Sequence, residues 1–262
     1  MAAIFLLSLL VGLLAGVLAG LFGIGGGLVI VPILVMIFSA HGFAAEQVMI
    51  MAVATSLATI VFTALSSAFA HHRLGAVWWP RVIRLAPGIM LGSGLGALVA
   101  DHIDANLLRA VFIVFLLYVG VQMALQLQPK PGAVKESKIL DMLVSVLIGL
   151  LSALVGIGGG TLTVPYLVSC RAPMKNAVAI SSACGVPIAI AGTISYALLG
   201  WHAALPEWSL GYVYLPSFLG IGLSSVFTAP IGAKLAHKLP AQQLKRYFSV
   251  LIFVMAAKLI WY

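Results

Sequence analysis

The first charged side chain in this chain is Glu46, so residues 1–45 carry no Asp, Glu, Lys or Arg. Further uncharged runs follow at 48–70, 85–100, 110–128, 142–170, 176–206 and 208–233. A helix crossing the hydrocarbon core needs about 20 apolar residues, and most of these runs are long enough. Charged residues make up only 8% of the chain and hydrophobic ones 63%, whereas a soluble domain carries roughly a quarter charged residues. Too little charge remains to cover a water-facing surface. The runs are continuous rather than alternating, which excludes a closed barrel. The fold class expected is an all-α integral membrane protein, a polytopic helical bundle. The start, Met1-Ala-Ala-Ile, has no basic residues before its apolar stretch and does not read as a cleaved secretory signal.

Two runs are interrupted in the same way. One reads Gly20-Leu-Phe-Gly-Ile-Gly-Gly-Gly-Leu-Val-Ile-Val-Pro32, the other Ala153-Leu-Val-Gly-Ile-Gly-Gly-Gly-Thr-Leu-Thr-Val-Pro165, at an offset of 133 residues. The likeness continues from Ala52-Val-Ala-Thr-Ser56 to Ala177-Val-Ala-Ile-Ser181, and from Gly96–Phe112 to Gly232–Phe248. Repeats of this kind are common in secondary transporters. The chain therefore divides into an N-terminal repeat, 1–128, a polar Pro-containing linker, 129–138, and a C-terminal repeat, 139–262.

Charge orients the repeats. If each Gly-broken segment crosses the membrane once, Lys and Arg divide almost equally between the two sides. If each is a hairpin that returns to its own side, twelve of the fourteen fall together, leaving only Arg109 and Lys258 opposite. Such segregation is the positive-inside pattern. The arms around the second Gly run, residues 142–155 and 161–170, also reach only about 21 and 15 Å as helix, short of a core of about 30 Å. The first arm is long enough to cross, so length is a weaker guide in that half. The expectation is two inverted repeats, each with a re-entrant or discontinuous hairpin and about three spanning helices. Both termini then lie outside, and the linker is cytoplasmic.

Four glycines in five residues unwind a helix, since each loses about 1 kcal/mol of helix propensity against alanine. Broken backbone at membrane depth is tolerated inside protein or beside a water-filled cavity. Helices restarting near Leu28 and Thr161 offer free N–H groups and a positive dipole end, which suit an anion. The candidate binding backbone is Gly23, Gly25, Gly26 and Gly27 in one half, and Gly156, Gly158, Gly159 and Gly160 in the other. Candidate hydroxyls are Thr55 and Ser56, then Thr161, Ser181 and Ser182. Thr59 and Thr163 lie close by in the sequence. Two bland readings stand beside this one. Glycines also serve close helix packing, and a helical hydroxyl often bonds its own backbone. Inward-pointing carbonyls would prefer a cation instead, but the only acid in a predicted span is Asp141, at an end.

Other features carry less. A pI near 9.7 arises from basic loop residues, read as topology determinants and headgroup contacts; no basic run with interleaved aromatics suggests nucleic acid. The Gly runs lack the Lys-Ser/Thr of a P-loop. Cys170 and Cys184 fit buried packing rather than a disulfide or metal site, and no cofactor is expected. His71-His72-Arg73 reads as a solvated turn, and His41, His102 and His202 as interfacial residues. Asp101 and Asp104 read as the end of a helix beside Arg109. The five tryptophans sit near span ends, as in an aromatic belt.

The doubled Gly-Ile-Gly-Gly-Gly…Val-Pro motif, the Ala-Val-Ala-Thr-Ser56 segment and the Leu-Pro-Ala-Gln-Gln-Leu-Lys-Arg246 stretch resemble the sulfite exporter TauE/SafE family of bacterial membrane permeases, over essentially the whole chain. The resemblance implies movement of sulfur-containing anions such as sulfite, sulfonates or thiosulfate, and of other small organic anions in some members. It also implies a bacterial plasma (inner) membrane. Ile180 stands where the first half has Thr55, so the halves need not contact a ligand alike.

The reading is a secondary carrier for a small oxyanion, held between the two Gly-rich breaks and moved by alternating access. With no ATP-binding motif, a coupling ion (H⁺ or Na⁺) or the membrane potential would drive it. An anion channel and a non-transporting scaffold or intramembrane enzyme are the rivals; no nucleophile–base pair supports the enzyme.

Overall fold

The structure, a computed structural model, describes residues 2–22, 25–126, 132, 137–236 and 241–261. Gly23 and most of the linker lie outside the described residues. Ten helices follow in order: α1 (Ala2–Phe22), α2 (Gly27–Ala40), α3 (Ala45–Arg73), α4 (Trp79–His102), α5 (Ala105–Ala124), α6 (Lys138–Val155), α7 (Gly160–Ser169), α8 (Met174–Leu199), α9 (Leu215–Ala236) and α10 (Ala241–Trp261). Between α8 and α9 lies a two-stranded antiparallel hairpin, β1 (Ser209–Leu210) with β2 (Val213–Tyr214). The protein is thus an all-α membrane bundle. Among the described residues, six helices are long and apolar enough to span a membrane.

The order of long and short helices in α1–α5 recurs in α6–α10, with the short members α2 and α7 following the glycine runs. Pro32 and Pro165 fall inside those short helices at the same register. The central pair is α3 and α8. In its most apolar window, α3 is 83% buried, against 33–44% for α1, α4, α5 and α6. Those outer helices turn large apolar side chains outward, among them Leu10, Ile83, Val114 and Leu143. In a bilayer such faces meet lipid, so the exposure is not a liability.

Contacts between helices fix their directions. Leu57 faces Gly192 and Ala64 faces Gly185, so α3 and α8 run antiparallel. Tyr214 meets Thr55, and Phe218 stacks on Phe62 one to two turns further along, so α9 runs with α3. Gly12 lies against Ile221 and Ser224, and Gly16 against Ser225 and Thr228, so α1 runs with α9. Gly88 lies against Ser145, and Gly96 against Leu150 and Ala153, so α4 runs with α6. The first helix of each repeat therefore packs on the fourth helix of the other, and the halves interlace.

These interfaces rest on small residues that let backbones approach, as helix pairs in lipid require. They are also reciprocal. The offset of 133 aligns Gly12 with Ser145, and the later offset of 136 aligns Gly88 with Ser224. One interface places glycine on α1 and serine on α9; the other places serine on α6 and glycine on α4.

Because α1 and α3 run the same way, α2 returns between them, and α1–α2 enters from the end where α3 begins. By the same reasoning α6–α7 enters from the end where α8 begins, which is the opposite end. The charges follow these directions. Arg73, Arg81, Arg84, Lys138, Arg171, Lys175 and Arg246 belong to one end of the bundle, and Arg109 and Lys258 to the other.

Candidate functional site

The two glycine turns meet at the centre. A Cβ on Gly27 would land on the Gly156 carbonyl oxygen and 3.0 Å from the Ile157 Cα. One on Gly25 would lie 3.6 Å from the Gly158 Cα, and Gly185 of α8 presses on the Gly158 carbonyl. Backbone here packs directly on backbone, so Gly27 serves the close approach that the packing interpretation anticipated. Residues 156–161 are all buried.

The second turn is built in two steps. Gly156, at φ 68°, ends α6 in the left-handed region. Its N–H donates to Ala153 and that of Ile157 donates to Ser152, at 3.3 and 3.0 Å. This is a Schellman closure, which satisfies the last carbonyls of the helix. Gly159, at φ 75°, then caps α7, its carbonyl accepting from the N–H groups of Leu162 and Thr163. Gly26, at φ 78°, does the same for α2. α2 and α7 thus begin at Gly27 and Gly160, one residue earlier than the sequence suggests. The first-turn N–H groups of both helices point toward the centre without intrahelical partners.

The candidate hydroxyls divide sharply. Ser56 Oγ donates to the Gly156 carbonyl at 2.8 Å, tying α3 to the opposite repeat's turn. Thr55 Oγ1 accepts the backbone N–H of Tyr214, and Thr59 donates to the Ser56 carbonyl. Ser182 bonds the Val178 carbonyl of its own helix. By contrast Ser152, Thr161, Thr163 and Ser181 are buried and have no hydrogen-bond partner among the described residues. Ser56 and Ser181, matched in sequence, therefore differ in what they bond. Ser152 was not among the sequence candidates. Its signal was the motif itself, since it sits one residue before the repeated segment.

A charged cluster lies nearer the basic end. Arg81 of α4, 2% exposed, donates to both carboxylate oxygens of the fully buried Asp141 of α6, at 2.9 and 2.7 Å. The Tyr166 hydroxyl on α7 donates to the same carboxylate, and Arg84 approaches it at 3.4 Å. The sequence reading of Arg81 as a loop residue is corrected here: it is a buried partner of an acid, because the parallel packing of α4 on α6 brings their first turns together. The repeat carried the clue. The offsets align Asp141 with Ser8 and Arg81 with Ser217, and Ser8 donates to Ser217 at 2.9 Å.

At the opposite end, Arg109 bonds Asn106, while Asp101 accepts from the Tyr212 hydroxyl. Asp101 lies in the last turn of α4, and Asp104 immediately precedes α5, on which Arg109 stands. His72 accepts from the indole N–H of Trp79 at 3.0 Å, and Arg73 stacks on Phe69. Cys170 and Cys184 are buried thiols, not joined in a disulfide.

An apolar bundle with two broken hairpins meeting at a buried polar centre is the architecture of a multi-pass membrane protein of the transporter class. The model of the family described as sulfite exporter TauE/SafE matches residues 8–259. A probable membrane transporter protein of Haemophilus influenzae is 40% identical over 96% of both chains. One of Methanocaldococcus jannaschii is 31% identical over 95% of this chain and 92% of its own. The chain belongs to the sulfite exporter TauE/SafE family and is a membrane transporter. No solved structure matches it.

Proposed function

We propose that the protein is a secondary carrier for a small sulfur-containing oxyanion, such as sulfite, an organosulfonate or thiosulfate, in a bacterial plasma membrane. The observation that carries this reading is the meeting of the two glycine turns, which arrive from opposite ends of the bundle. Helix N-termini there present N–H groups and the positive ends of two dipoles in a medium of low dielectric. No described carboxylate stands beside them; Asp141 is already held by Arg81. A compact anion fits that field and a cation does not.

The antiparallel run of α3 and α8 supports inverted repeats, with the basic end cytoplasmic and both termini outside. Interlacing shapes the mechanism: α1 moves with α9, and α4 with α6, about the central α3 and α8. Alternating access then opens the turns first to one end and later to the other. An H⁺ or Na⁺ gradient, or the membrane potential, supplies the drive.

The test is flux of labelled sulfite or a small sulfonate into liposomes holding the purified protein. Saturable flux is expected. Current that rises without saturation identifies a channel, and no flux for any such anion overturns the assignment.

A further inference from the structure

Gly26 and Gly159 cap α2 and α7 in the same left-handed conformation, but their surroundings differ. Around Gly26 stand the Ala15 carbonyl and the Ile30 side chain. Around Gly159, at the equivalent place, the position of the missing Cβ lies 3.4 Å from Thr163 Oγ1 and 3.5 Å from Ser152 Oγ. Both hydroxyls belong to fully buried residues, and neither has a partner among the described residues. The offset of 133 pairs Ser152 with Ala19, Thr161 with Leu28 and Thr163 with Ile30, so the first repeat is apolar at each of these positions. A buried hydroxyl without a partner is destabilising, and here two converge on one point at the start of a ten-residue helix.

We infer that the anion is seated by the second hairpin alone, at Gly159, between Ser152 of α6, Thr163 of α7 and the first-turn N–H groups of α7. The first hairpin supplies a wall without polar side chains. This rests on the carrier reading above and sharpens it. The site is neutral, made of hydroxyl and amide donors, so it takes a compact oxyanion with several acceptor oxygens around one centre. Ile188 Cδ1 stands in this space, 2.4 Å from where a Cβ on Gly159 would lie, so the ligand enters as that flexible side chain rotates away. Gly159 is bare so that an oxygen of the ligand can approach the backbone.

The experiment is thermal unfolding of the purified protein in detergent with sodium sulfite, sodium methanesulfonate or sodium chloride at equal ionic strength, repeated with potassium salts. Binding to the folded state raises the transition temperature. Wild-type protein is expected to respond to the oxyanions and not to chloride, whichever cation is present. Thr163→Val and Ser152→Ala are each expected to weaken the apparent affinity about tenfold or more, with an unliganded transition equal to or above wild type, because each removes an unpaired hydroxyl. Thr163→Ser keeps the hydroxyl and is expected to keep binding; it serves if Thr163→Val does not fold. Ile30→Val, the matched change in the first hairpin, is expected to leave binding intact. Oxyanion binding in wild type that both hydroxyl deletions leave untouched overturns the one-sided seat while the carrier reading stands. A wild-type response that follows Na⁺, or none to either oxyanion, overturns the seat and the anion reading together.

Discussion

Arg81 grips Asp141 through paired hydrogen bonds of 2.9 and 2.7 Å, joining the first turns of α4 and α6 inside the bundle. The same place in the other interface is held by one neutral bond between Ser8 and Ser217. The protein therefore carries ionic glue at its basic end and neutral glue at the other, on otherwise matching helix pairs.

Removing one partner of that ion pair leaves a buried charge. Arg81→Met or Asp141→Leu alone is expected to lower stability by about 3–5 kcal/mol, whereas the double replacement recovers most of the loss. Thermal unfolding of the three variants in detergent checks this. A double variant no better than the worse single one would show that Tyr166 and Arg84, rather than the pair, set the stability there.

The Ser56 hydroxyl satisfies a buried carbonyl of the opposite repeat. Ser56→Ala is expected to destabilise by about 1–3 kcal/mol, because the Gly156 oxygen is left without its donor. Ser182→Ala removes only a bond to its own helix and is expected to change stability by about 0.5 kcal/mol or less. Equal effects from the two would remove the distinction between a tie across repeats and a local bond.

Glycines in this chain differ in what a methyl group would meet. Gly27→Ala drives a Cβ into the Gly156 carbonyl, and is expected to part the two turns and strongly reduce both stability and transport. Gly94→Ala meets only the Ser195 hydroxyl at 3.6 Å, an ordinary contact. It is expected to leave transport intact and raise stability by about 0.5–1 kcal/mol through helix propensity. Expression, unfolding temperature and flux of both variants give the comparison.

The orientation can be read chemically. Leu74, 65% exposed, follows α3 at the basic end, and His102, with a side chain 76% exposed, ends α4 at the other. In intact cells a membrane-impermeant maleimide is expected to label His102→Cys and not Leu74→Cys. The buried Cys170 and Cys184 give little background. The reverse labelling would invert the assignment of the basic end to the cytoplasm.

Much of the architecture was legible in the sequence, because the bilayer leaves so few solutions. Uncharged runs foretold the long apolar helices of a polytopic bundle, since these follow from local composition. Even the meeting of the glycine turns was foreshadowed by their repetition. The roles of single hydroxyls were not. Thr55, Ser56, Ser181 and Ser182 look alike as sequence, yet one accepts from a distant hairpin, one caps a carbonyl, one lacks a partner among the described residues and one bonds its own helix.

Sequence alone determined that the chain lives in lipid, breaks twice at glycine and repeats itself, because hydrophobicity and helix propensity are properties of short segments. Only the tertiary structure decided that the repeats interlace, that Arg81 finds Asp141, and that Ser152 and Thr163 turn unpaired hydroxyls toward Gly159. Those outcomes depend on which helix faces which, and at what register. Packing small residue against small residue across distant parts of the chain sets that register, and no single segment encodes it.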